Sequence, residues 1–63
     1  MDTIEYKGYV GSVDFSEPDG LFYGKVENVR ALVSYEGATI PDLIADFHDA
    51  VDAFLKMKGA EIQ

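Results

Sequence analysis

Three aspartates, Asp42, Asp46 and Asp49, are the residues whose type and spacing most invite a chemical reading. On a helix of 3.6 residues per turn, their i, i+4, i+7 spacing sets them within about 60° of one another. No base interrupts them, and Lys56 lies near the same line two turns later. Like charges so placed repel by a few tenths of a kcal/mol each. Asp42 is offset by the positive end of the helix dipole; Asp46 and Asp49 are not. The stripe reads as a solvated face or as a surface complementary to a basic partner. A metal site is disfavoured, because an open helix face does not preorganise oxygen ligands.

Nothing else assembles into a catalytic constellation. His48, the single histidine, has no cysteine to activate and falls at the boundary of an apolar stripe. Ser12, Ser16 and Ser34 sit in strand or turn contexts without the glycine pattern of a nucleophile elbow. Gly8 and Gly11 do not lead into a helix N-terminus, and no Lys-Ser or Lys-Thr follows them, so they suggest a bulge or a close backbone approach instead of a phosphate loop. The expectation is a non-enzyme with no cofactor and no metal.

Charge narrows the partners. Five Lys plus Arg stand against twelve Asp plus Glu, a formal net charge of −7. Duplex nucleic acid binding draws much of its affinity from neutralising phosphates, so direct binding of nucleic acid by this chain is not expected. A basic protein is the fitting charged partner, and solubility alone would also account for the charge. There is no stretch near the roughly 20 apolar residues of a membrane helix, and no basic leader before an apolar run. A soluble, cytoplasmic chain is expected.

With 63 residues and no cysteine, the chain has room for a single domain without disulfide staples. Its 48% hydrophobic and 13% aromatic content argues for a packed core. Glu5 to Phe15 alternates as one strand, with Tyr9, Gly11, Val13 and Phe15 on the core face. Ser16-Glu17-Pro18-Asp19-Gly20 is a turn, and Leu21 to Val26 returns as a second strand, with Phe22, Gly24 and Val26 inward. Glu27 and Asn28 turn again, and Ala31 to Tyr35 forms a third strand with Val33 and Tyr35 inward.

Thr39 is placed as a helix N-cap, with Asp42 at the third helical position. Ile40, Leu43, Ile44, Phe47, Ala50, Val51, Phe54 and Leu55 then repeat at helical spacing. Gly59 is expected to stop the helix after Lys56 and Lys58, leaving Ala60 to Gln63 without regular structure. The prediction is an α+β domain, a three-stranded antiparallel sheet (βββα) packed on one long helix. The sheet spans about residues 4–36 and the helix about 40–58. Its two open sheet edges make a homodimer the expected state.

These segments resemble a known family. Glu5-Tyr6-Lys7-Gly8-Tyr9, Phe22-Tyr23-Gly24-Lys25-Val26, Tyr35-Glu36-Gly37-Ala38-Thr39, and Phe47-His48-Asp49-Ala50-Val51 with Phe54-Leu55 look, in order and register, like the HicB antitoxins of type II toxin–antitoxin systems. The resemblance covers nearly the whole chain. It implies a partial RNase H-like fold without catalytic ability that binds and blocks a small basic, mRNA-cleaving HicA-like toxin. Phe54 stands where many relatives have Tyr. Family members usually continue into a C-terminal DNA-binding segment, whereas this chain stops soon after the helix. The alternative is therefore a fragment of a repressor that autoregulates its operon through such a segment.

Overall fold

A computed structural model describes residues 2–62, with side chains through Gly59. The order is β1 (Asp2–Tyr6), β2 (Tyr9–Ser16), β3 (Leu21–Lys25), β4 (Ser34–Gly37) and α1 (Ile40–Ile62). The strands form one antiparallel sheet in the order β1-β2-β3-β4. The α+β class and the single helix agree with the sequence; the strand count does not.

The long first strand is in fact a hairpin. Lys7 and Gly8 both adopt positive φ, 52° and 83°, and Tyr6 pairs directly with Tyr9. This is the two-residue turn whose twist suits antiparallel strands. Folding there brings Ile4 and Tyr6 against the core, although the single-strand reading had put Tyr6 on the opposite face.

The second hairpin closes as expected, around Glu17-Pro18-Asp19-Gly20. Gly20 N–H donates to Ser16 O at 2.8 Å, and Ser16 Oγ donates to Asp19 Oδ2 at 3.1 Å. Exposure rises along the inner face of β2, from buried Gly11 through Val13 to Phe15 at 50%. Phe15 was expected in the core. It instead packs on Phe22, ring centroids 4.8 Å apart, where the hairpin runs out from under the helix.

The last strand is displaced from Ala31–Tyr35 to Ser34–Gly37. After Val26, Asn28 takes a left-handed φ of 61°, which asparagine tolerates better than most residues. The segment then leaves the ladder and rejoins where Val26 N–H donates to Val33 O at 2.9 Å. Val29 and Val33 still reach the core, while Leu32 is 84% exposed.

Thr39 caps the helix as read: Asp42 N–H donates to Thr39 Oγ1 at 3.2 Å, and Leu43 N–H to Thr39 O at 2.9 Å. Leu43, Phe47 and Val51 are buried almost completely, and with Val26 and Tyr35 they make the core. Ile40, assigned to the buried stripe, is 41% exposed because the first helical residue extends past the sheet. Gly59 does not stop the helix. It lacks the positive φ of a left-handed C-cap, and α1 continues to Ile62. The irregular tail is thereby corrected for 60–62, and Gln63 lies outside the described residues. A 23-residue helix is about 34 Å long and overhangs strands of four to eight residues, which gives a body of 42 × 18 × 18 Å.

Candidate functional site

The three aspartates lie outside the buried face of the helix, and they are not equivalent. Asp42 and Asp49 are exposed, and among the described residues neither carboxylate has a hydrogen-bond or ion-pair partner. Asp42 lies in the first turn, at the positive end of the helix dipole. Asp46 is committed elsewhere: its Oδ2 accepts the Glu36 N–H at 2.9 Å. That bond occupies an outward-facing donor on the β4 edge and ties the helix to it. The spacing of the three acids was legible in the sequence; the structural duty of Asp46 was not.

Asp46→Ala is expected to cost about 1 kcal/mol, the ordinary worth of one such bond. Its signature is faster hydrogen exchange at the Glu36 amide, with the other β3–β4 amides little changed. Equal exchange in both proteins would refute that role.

A fourth acid, outside that spacing, is the best-partnered among the described residues. Asp52 Oδ1 accepts from Lys7 Nζ at 2.9 Å and its Oδ2 from the Tyr6 hydroxyl at 3.3 Å. The Lys7 ammonium lies 5.1 Å from the Tyr6 ring centroid. The hydrogen bond from Lys7 holds the Asp52 carboxyl below the usual carboxylate range, and the same bond raises Lys7. Both side chains are about half exposed, so solvent screens the pair and it adds little stability. Beside it, His48 is half-buried, as its place on the stripe boundary predicts, and stacks on Tyr6 at 3.9 Å with planes 15° apart. The imidazole is thus used in packing.

The most constrained polar group is the Tyr35 hydroxyl. Tyr35 is 3% exposed, and its hydroxyl donates to Ser12 O at 2.7 Å. The β2–β3 pairing is interrupted there: Lys25 N–H donates to Ser12 Oγ at 3.1 Å instead of to a backbone carbonyl. Two side chains, Tyr35 and Ser12, thus complete the ladder where the strands part.

Burial in the core pushes the Tyr35 phenol from 10.0 up to about 12, against the hydrogen bond to Ser12, which lowers it. A raised phenol leaves stability intact below pH 10 and removes it as the pH climbs through 12, because the unfolded chain ionises first. The loss approaches about 3 kcal/mol. Alkaline denaturation curves of wild type and Tyr35→Phe should therefore converge between pH 10 and 12. Parallel curves would show that Tyr35 does not titrate on unfolding.

Among the described residues no group of three or more His, Cys, Asp or Glu is arranged to hold a metal ion. No described helix is long and apolar enough to cross a membrane. Exposed carboxylates lie on the helix, Asp42 and Asp49 among them, and on the strands and loops as well. Comparison with protein families, curated proteins and solved structures returned no match.

Proposed function

We propose that this domain is a non-catalytic, antitoxin-type inhibitor that acts in the cytoplasm by binding a small basic ribonuclease of the HicA-like kind. The observation that carries the reading is the exposed acidic helix face, Asp42 and Asp49 above all, on a chain of net charge −7. Carboxylates held on a rigid helix steer a cationic partner and fix its orientation. The motif resemblance to HicB antitoxins supplies the identity of that partner and a partial RNase H-like fold for the sheet and helix. Inhibition in this reading is occlusion: the domain covers a cationic RNA-binding surface, and no residue of its own reacts.

The test is an RNA-cleavage assay with a small basic HicA-like ribonuclease. Stoichiometric loss of cleavage on adding the domain is the expected result. Undiminished cleavage at a large molar excess of the domain would overturn the proposal.

A further inference from the structure

The two edges of the sheet are treated differently. On β4, one outward amide, Glu36 N–H, is taken by Asp46. On β1, the outward groups follow from the turn. In a two-residue hairpin the closing pair, here Tyr6 with Tyr9, is hydrogen-bonded, and bonded pairs alternate from it. Ile4–Gly11 and Asp2–Val13 are therefore bonded pairs, whereas Thr3–Ser12 and Glu5–Val10 are not. Thr3 and Glu5 thus point their N–H and C=O groups away from the sheet. Both residues are exposed, and among the described residues no turn, loop or side-chain hydrogen bond reaches them. An open edge of this kind is a template for another strand.

We propose that β1 pairs antiparallel with β1 of a second copy, joining two sheets into one of eight strands with both helices on the same face. The strand's own sequence selects the register. Full overlap of Asp2–Tyr6 sets Thr3 opposite Glu5, Asp2 opposite Tyr6 and Ile4 opposite Ile4 across a two-fold axis. Thr3 and Glu5 of each copy then exchange both backbone bonds, which satisfies all four outward N–H groups. No acid faces an acid, despite two acids in the strand. Ile4, half-buried on the helix side, gains an apolar neighbour. Sliding by two residues one way sets Glu5 opposite Glu5, and sliding the other way leaves only residues 2–4 paired. The dimer is independent of any ribonuclease and uses a surface apart from the outward helix face.

Sedimentation of the full chain over a concentration series, beside two variants, tests this. Thr3→Pro removes an N–H that faces away from β2, a position at which an edge strand tolerates proline. It should keep a native circular dichroism spectrum and weaken dimerisation roughly tenfold or more. The chain lacks cysteine, so Ile4→Cys introduces a unique thiol at the two-fold axis. Opposed Cα atoms of a non-bonded pair lie about 4.5 Å apart, within disulfide range. Under mild oxidation Ile4→Cys should cross-link much faster than Phe15→Cys. A chain that stays monomeric, unchanged dimer affinity in natively folded Thr3→Pro, or equal cross-linking of the two cysteine variants would each overturn the proposal.

Discussion

Gly24→Ala is expected to destabilise the domain by about 3 kcal/mol or more, a severe effect for the addition of one methyl group. The new Cβ would overlap the Ser12 carbonyl oxygen and lie 2.8 Å from the Ser12 carbonyl carbon and 2.9 Å from the Tyr35 hydroxyl. Backbone cannot swing aside as the end of a flexible side chain can. The β2–β3 strands would have to part further, and the Tyr35–Ser12 bond, already bridging a gap in the ladder, would lengthen or break. Leaving a buried hydroxyl unpaired adds about 1–3 kcal/mol to the steric cost. Gly59→Ala is the built-in control. A Cβ there meets nothing within 4 Å, and alanine is favoured over glycine within a helix by up to about 1 kcal/mol. Urea unfolding should therefore move in opposite directions for the two variants. A shift of the same sign in both would contradict this packing argument.

Phe47→Ala is expected to abolish cooperative thermal unfolding. Phe47 is fully buried, and its ring lies 4.9 Å from that of Tyr35 and 6.4 Å from that of Tyr6, so it links α1 to β4 and β1. Truncating a buried phenylalanine costs about 3–5 kcal/mol in lost burial and residual cavity. A single small core rarely supplies more than about 3–5 kcal/mol of net stability. The two quantities are equal in size, so the folded state should lose most of its population. Phe47→Leu removes less volume and should keep a cooperative transition at a lower temperature. A well-formed transition in Phe47→Ala, near the wild-type midpoint, would show that the core is held from elsewhere.

These two positions show what was readable in the sequence. Phe47 belongs to a stripe, Leu43, Phe47 and Val51, whose helical period announces its burial, and Thr39 marks where that helix begins. Pro18-Asp19-Gly20 likewise announces the second hairpin. The first hairpin was hidden because Lys7 takes a left-handed φ of 52°, where asparagine, aspartate or glycine is the usual signal. Its concealment also removed one strand from the count and misassigned Tyr6. The shift of β4 escaped because Val29, Leu32 and Val33 have strand-like propensity yet lie in the 27–33 loop.

Gly24, Gly11, Ser12 and Tyr35 meet only once three strands are in place. A Cβ on Gly11 would come within 2.9 Å of Phe47 and 3.0 Å of the Tyr35 ring, yet no spacing rule joins these positions in the chain. The acidic stripe was legible as a spacing, and the structure divides it. Asp42 and Asp49 face solvent while Asp46 binds the sheet edge. Asp52, the acid with the most partners among the described residues, carries no signal in the sequence because its partners Tyr6 and Lys7 lie more than forty residues away.

That division makes Asp42 and Asp49 the informative pair for function, since replacing Asp46 would disturb the fold as well as the charge. The most direct measurement is the association rate of the domain with a small basic ribonuclease of the proposed HicA-like kind, followed over a salt series for wild type and for Asp42→Lys combined with Asp49→Lys. Reversing both charges should slow association roughly tenfold or more at low salt and flatten its salt dependence, while circular dichroism stays native. Unchanged rate and affinity in the natively folded double variant would contradict the acidic helix face as the inhibitory surface.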